Sequence, residues 1–341
     1  MAALSRRALL LAAAGGPHVA AQLSSFSNRS TVSLTSGDDR RKNVYQALSA
    51  IDDHIRPALK RKKYVLLKPN TVAVNNQLGS THVDALRGIL DYLSERYRGP
   101  VVIADSSKDC TWDAYENFFY NRLLSEYRRP LQLTFVDLNE DPHPLVHEIV
   151  DRDLHLTQVR LASRLFDPDA FILGSAILKA HDNVVATLSV KNLVMAAPLH
   201  NPRKDTTKWH DKARYHQGYR QIQMNIALTA KRMRPFWGAT VIDGFEGMEG
   251  EGPLKGTPVP SRLAIASTDF IAADRIGVEA MGVNPTWPGY LQYCCDSGLG
   301  QYDLNRIDLR TSTSLENVRR TYKLHPRVDK QIEWLGPLNK A

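Results

Sequence analysis

Between residues 39 and 60 the apolar positions Val44, Leu48, Ile51, Ile55 and Leu59 recur at steps of three and four. That period predicts one helix from about Asp39 to Lys60, with a basic outer face. The next run, "YVLL" from Tyr64 to Leu67, is apolar throughout and predicts a short strand that ends at Lys68, Pro69 and Asn70. Proline cannot continue the ladder, and the loop that follows to Ser80 is long for a strand-to-helix connection. "STHVDALRGILDYLSERY" then carries a helical stripe at Val83, Leu86, Leu90 and Leu93, with Ser80 or Thr81 as its cap. "GPVVIADSS" supplies a second buried strand closing on Asp105. A strand, a helix and a strand joined this way favour parallel pairing.

"LQLTFVDLN" and "DAFILGSAIL" continue the alternation, and "NVVATLSVKNLVMA" is predicted as a helix from about Asn183, which would set Thr187 and Lys191 one turn apart on one face. Further on, Ala239–Ile242 forms a predicted strand followed by an acidic, glycine-punctuated loop, and "SRLAIASTDFIAADRIGVEAMG" reads as strand and helix, with Asp269 as cap and Gly282 as stop. The fold class is therefore α/β: a mostly parallel sheet with helices on both faces, in Rossmann-like layers.

The 341 residues are 43% hydrophobic and 23% charged, enough for a substantial core. The first 22 residues, with Arg6 and Arg7 ahead of the apolar run Ala8–Ala14, read as a twin-arginine signal and predict an extracytoplasmic, periplasmic or secreted protein. A Ser/Thr-rich linker over 23–38 and a single large domain over 39–330, with two lobes dividing near 175–215, complete the expected organisation. No apolar stretch reaches the length of a transmembrane span. The net charge of +8 comes from basic residues scattered among acids, which disfavours a nucleic-acid partner and fits an anionic small molecule. Cys110, Cys294 and Cys295 are too few for a self-contained iron-sulfur cluster or a disulfide framework.

In a parallel sheet, ligands gather at the carboxyl ends of the strands, where Lys68, Asn70, Asp105 and Ser106 fall. Asp105 and Ser106 have a plainer alternative as helix caps. The stretch Lys179–Lys212 adds Lys179, His181, Asp182, Lys191, Asn192, His200, Lys208 and His210. Such a mixture binds a phosphate or carboxylate through its lysines, or a metal through its histidines; their spacing matches no compact zinc motif. His155 and His216 read as surface residues. Asp243, Glu246, Glu249 and Glu251 either form a solvated acidic turn or face cations, a divalent metal among them. The adjacent Cys294 and Cys295 read as small buried hydrophobes.

The ordered series "VLLKPN", "VVIADSS", "LKAHD", "LSVKNLVMAAP", "VIDGFEGMEGEGP", "ASTDFIAAD" and "GLGQYDL" resembles the domain-of-unknown-function family numbered 362, over roughly Tyr64 to Leu309. The resemblance implies no activity. It marks Lys68, Asn70, Asp105, Lys179, His181, Lys191, Asn192, Asp243, Glu249, Gly250, Gly252, Pro253, Asp269 and Asp274 as the family's positions. Some members are described as iron-sulfur proteins through appended cysteine motifs that this chain lacks. The combined reading is an exported enzyme acting on an anionic small molecule. His181 and Lys179 are its catalytic candidates, Lys68, Asn70, Asp105, Lys191 and Asn192 its substrate contacts, and Asp243 and Glu249 its acids for a metal of unknown identity or for charge balance. A solute-binding protein without turnover and a partner of an iron-sulfur redox protein are the rival readings.

Overall fold

In the computed structural model residues 29–201 and 209–337 are described, so the segment read as a twin-arginine leader and Lys208 lie outside the described residues. Twelve strands are β1 (Ser30–Ser36), β2 (Tyr64–Lys68), β3 (Pro100–Asp105), β4 (Gln132–Asp137), β5 (Leu145–Val150), β6 (Leu156–Leu161), β7 (Ala170–His181), β8 (Val185–Thr187), β9 (Trp237–Glu249), β10 (Thr257–Val259), β11 (Leu263–Ser267) and β12 (Ile307–Thr311). Ten of them build one sheet in the order β12-β1-β11-β9-β7-β2-β3-β4, with β8 paired to β7 and β10 to β9, while β5 and β6 form a separate hairpin. Along the main path only β11 runs antiparallel to its neighbours. The sheet is α/β and mostly parallel.

Period-two alternation explains the layering. In β2 and β7, Val65, Leu67, Phe171 and Leu173 join one core with Val44, Leu48, Leu86 and Ile89. Leu66 and Ile172, between them in sequence, join the core on the opposite face. The first face is covered by α1 (Arg40–Ser49), α2 (Asp52–Leu59) and α3 (Val83–Arg96), beyond which come α4 (Thr111–Asn117) and α5 (Arg122–Glu126). The second is covered by α6 (Ser189–Val194), α7 (Tyr219–Met233), α8 (Phe270–Ala280) and α9 (Gly289–Asp296). Among the described residues no helix is long and apolar enough to cross a membrane.

Several expected elements differ in detail. The helix predicted over 39–60 breaks at Ala50–Ile51 into α1 and α2, yet its whole apolar stripe stays buried. The cap of α3 is His82, whose Nδ1 accepts from the Asp84 amide at 3.1 Å; Thr81 instead holds the Asn70 amide at 2.8 Å and donates to the Ser175 carbonyl at 3.0 Å. The Ser/Thr-rich passage ends in a strand, β1. Its Ser33 and Thr35 hydroxyls reach the Ala47 and Asn43 carbonyls of α1 at 2.6 and 2.8 Å, so its polar face packs on a helix and its Val32 and Leu34 enter the other core. The helix expected from Asn183 is a hairpin strand, β8, followed by the short α6, with Val185 at a positive φ of 70°. Finally, β9 runs through Gly244 and Gly247 as far as Glu249, so Asp243, Glu246 and Glu249, expected in a loop, lie on a strand, and Glu251 follows it.

Strands β2, β3 and β4 succeed one another outward, whereas β7 and β9 lie on the other side of β2. The chain reverses its direction of travel between β2 and β7, the place where open α/β sheets leave a crevice at their carboxyl edge.

Candidate functional site

At that edge Lys68 leaves β2 and is buried, with its Nζ donating to Asn192 Oδ1 at 2.7 Å and pairing with Asp105 Oδ1 at 3.1 Å. Asn192 Oδ1 also accepts from Asn70 Nδ2 at 2.8 Å, and its own amide donates to the Ser175 carbonyl at 3.2 Å. Asn70 Oδ1 in turn accepts from Lys179 Nζ at 3.0 Å, and Lys179 spends a second proton on the Gly79 carbonyl at 2.7 Å. Four elements, β2, β3, β7 and α6, are thus tied by one chain of polar side chains, and each buried donor named has an acceptor.

Asp105 is the anionic end of that chain. Its Oδ2 accepts from the Thr71 amide at 2.9 Å and the Thr71 hydroxyl at 2.6 Å, and its Oδ1 from the Ser106 amide at 2.8 Å. It does not cap the next helix, since α4 begins after Cys110 without a side-chain cap. Burial lowers the pKa of Lys68, with Asp105 opposing. Burial, helped by Lys191 and Lys68, pushes Lys179 well below the ordinary lysine value.

Above this layer lies a cavity of about 900 Å³. Lys68, Asn70, Asp105, His181, Lys191 and Asn192 line it, so six of the seven residues expected to act on a substrate share one wall. Lys179 is not on that wall: it lies underneath, fully buried, positioning Asn70. The last residue of β7, His181, stands on the cavity wall, and β8 leads into α6, whose first two amides, Ser189 and Val190, donate to the Asp274 carboxylate at 2.7 and 3.0 Å. Lys191 follows in the first turn of α6, and its Nζ stands 2.5 Å from His181 Nε2. His181 Nδ1 lies 2.9 Å from the Asn183 amide and 3.1 Å from Asp182 Oδ1. Burial pushes Lys191 down to about 7, with Asp182 opposing and Lys68 and Lys212 assisting; burial and Lys191 press His181 well below its ordinary value.

Asp274, which holds the start of α6, is pushed up to about 7 by burial. Its folded-state pKa is raised, so the folded chain binds the extra proton between about pH 4 and 7, and stability falls as pH rises through that window. Asp274→Asn, which keeps an acceptor but has no proton to lose, is expected to flatten this decline; urea midpoints at pH 5 and pH 8 compare the two chains.

Of two further wall residues, one carries no signal in the sequence pattern and the other a misplaced one. Lys212 donates to the Ser106 hydroxyl at 2.8 Å and to the Ser106 carbonyl, and burial lowers it to about 8. Thr187 is buried on the wall with no hydrogen-bond partner for its Oγ1. Lys212 lies in a polar stretch with no period. Thr187 is expected beside Lys191, but on a helix that does not form.

His200 is buried beyond the wall, with Nε2 2.6 Å from the Ser107 carbonyl and Nδ1 3.0 Å from that of Asn201; it packs against His210, ring centroids 5.0 Å apart. His216 is exposed at the rim, as are Lys108, Lys255 and Arg327. Gly252 closes the rim against β7: a Cβ there would meet the Ala180 carbonyl at 2.1 Å. Asp243 and Glu249 do not line the cavity. Asp243 is buried 3.2 Å from Arg40 Nε, and Glu249 accepts from the Lys323 amide at 2.8 Å. Among the described residues no group of three or more His, Cys, Asp or Glu side chains is placed to hold a metal ion.

A crystal structure of a protein from Thermotoga maritima aligns with 89% of this chain and 96% of its own, at 8% identity and a TM-score of 0.42. Among curated proteins, the thylakoid-associated protein sll1697 of Synechocystis sp. is 28% identical over 127 residues, which make up 37% of this chain and 37% of that relative. The match therefore spans little more than a third of the relative's length. The family described as domain of unknown function (DUF362) matches residues 65–279. That match takes in most of the sheet and every residue of the polar chain from Lys68 to Asn192, and the protein belongs to the DUF362 family.

Proposed function

We propose that the protein is an enzyme that binds an anionic small molecule at the carboxyl edge of the sheet and moves a proton through Lys191 and His181. The observation that carries this reading is the 2.5 Å contact between Lys191 Nζ and His181 Nε2, both buried in the wall of a large cavity. One proton placement satisfies every contact: with Lys191 neutral, Nε2–H donates to the amine and Nδ1 accepts from the Asn183 amide. With Lys191 charged, it donates to Nε2, and the ring proton moves to Nδ1 toward the Asp182 carboxylate at the cost of the Asn183 hydrogen bond. The two states differ by one proton, and a lysine held near pH 7 passes between them at little cost. The surplus of cations on the wall favours an anionic ligand: Lys68, Lys191 and Lys212 face Asp105 and Asp182. Lys179 serves in this proposal as the support for Asn70, and the leader read over residues 1–22 adds an extracytoplasmic address.

The test is hydrogen-deuterium exchange into small carboxylates and phosphate esters in D2O, followed by proton NMR, beside thermal shift with inorganic phosphate and malonate. The wild-type chain is expected to be stabilised by an anion and to exchange a carbon-bound proton of at least one compound. His181→Asn is expected to slow that exchange about 100-fold or more while keeping the anion-induced shift. Stabilisation without exchange, unchanged in His181→Asn, would make the protein a solute binder instead.

A further inference from the structure

We infer that the ligand is an anionic carbonyl compound, an aldehyde or ketone bearing a carboxylate or phosphate, and that Lys191 Nζ condenses with its carbonyl carbon to form an imine. This deepens the proposed function and rests on its assignment of Lys191 and His181 as a proton-transfer pair.

Three features of the wall carry the inference. First, the two lysines on α6 and β2 differ in partner. Lys68 has a carboxylate at 3.1 Å, whereas among the described residues Lys191 has no carboxylate in ion-pair range and meets a histidine nitrogen. A lysine kept only for its charge gains from a carboxylate beside it; one facing an imidazole can give its proton away and keep its lone pair. Second, the Thr187 hydroxyl is buried on the same wall and has no hydrogen-bond partner. A buried hydroxyl left unbonded costs free energy that a ligand oxygen would recover. It lies four residues before Lys191, at the end of β8, within the segment that enters α6. Third, Lys68 and Lys212 leave positive charge on the wall for the anionic group of such a ligand.

The step balances without an outside oxidant or reductant. The Nζ lone pair forms the C–N bond as the carbonyl π pair moves to oxygen, and one amine proton passes to that oxygen through His181. The second amine proton follows by the same route, so the hydroxyl leaves as water as the C–O bond breaks, and the electron pair that this proton leaves on nitrogen closes the C=N bond. Thr187 Oγ1 donates to the oxygen while it carries the charge.

The folded, full-length protein is incubated at pH 7 with glyoxylate, pyruvate or pyridoxal phosphate, reduced with sodium borohydride, digested and read by peptide mass spectrometry. The expected result is a reduced adduct on the peptide containing Lys191, at least 10-fold above any other lysine and suppressed by malonate or inorganic phosphate. Preference for the first two probes or for the third separates a carboxylate ligand from a phosphate one. Thr187→Val, which removes a hydroxyl with no partner in the fold, is expected to keep or raise the melting temperature and slow adduct formation several-fold. Lys191→Met is expected to abolish the adduct and to weaken, without removing, the thermal shift with phosphate or malonate, because Lys68 and Lys212 remain on the wall. Anion stabilisation and proton exchange with no adduct at Lys191 from any probe would overturn the imine and leave the proton-transfer reading standing. Loss of exchange and anion binding as well would overturn both.

Discussion

Asp105→Asn is expected to lower the free energy of unfolding by about 3–5 kcal/mol at pH 7, the usual cost of leaving a buried charge without its partner. The Asp105 carboxylate stands 3.1 Å from Lys68 Nζ and accepts from two backbone amides and the Thr71 hydroxyl. An amide in its place keeps the shape but supplies no charge, and its NH2 group faces donors. Lys68 is only 3% exposed, so water replaces the lost anion poorly. The loss should therefore depend on pH. Burial depresses the folded-state pKa of Lys68, so the folded chain binds fewer protons than the unfolded chain between that pKa and about 10.4, and stability rises with pH across that window. Removing Asp105 takes away the one group that opposes the depression, so the window widens toward lower pH. The variant should then regain part of its deficit as pH rises through that window. Urea unfolding at several pH values measures this, and Asp105→Asn combined with Lys68→Met should recover most of the loss. A deficit below about 1 kcal/mol with no pH dependence would mean that the pair does not hold this edge together.

The same pair shows why part of the site is legible in the sequence. "YVLLK" and "PVVIAD" are continuous apolar runs because both faces of β2 and β3 are covered, and each ends in one charged residue. A parallel sheet places such ends side by side, so the strand pattern by itself brings Lys68 and Asp105 to one edge. Lys179 and His181 are harder to separate. On β7 Lys179 and His181 share a face by the period of two, yet Lys179 bonds Asn70 and Gly79 beneath the cavity and only His181 reaches the wall. No pattern in the sequence reports that difference of one pleat.

Two further elements hide for opposite reasons. The residues of β8 and α6 are all buried, so their apolar positions carry no period, and the hairpin turn through Val185 has no glycine to mark it. In β1 the hydroxyls of Ser33 and Thr35 satisfy themselves on carbonyls of α1, which makes a central strand look like a polar linker. Asp243 and Glu249 look like a pair in an acidic loop; on a strand, six residues apart, they turn to different partners.

At the centre of the proposed chemistry, Lys191 is expected to titrate near pH 7, about three units below an ordinary lysine. At neutral pH about half of it would then be the free amine, against ~1 in 2500 for a solvated lysine. Reductive 13C-methylation followed by NMR at a series of pH values reads the midpoint directly, since each dimethyl-lysine shifts as it loses its proton. The neighbours fix the sign of further changes. Asp182→Asn removes the anion that favours the ammonium and should lower the midpoint; Lys212→Met removes a like charge and should raise it. Any turnover that uses the free amine should rise with pH between about 6 and 8 and follow the midpoint in both variants. A midpoint near 10 would instead make Lys191 a permanent cation whose contact with His181 is a plain hydrogen bond, and neither proton transfer nor imine formation at this wall would survive it.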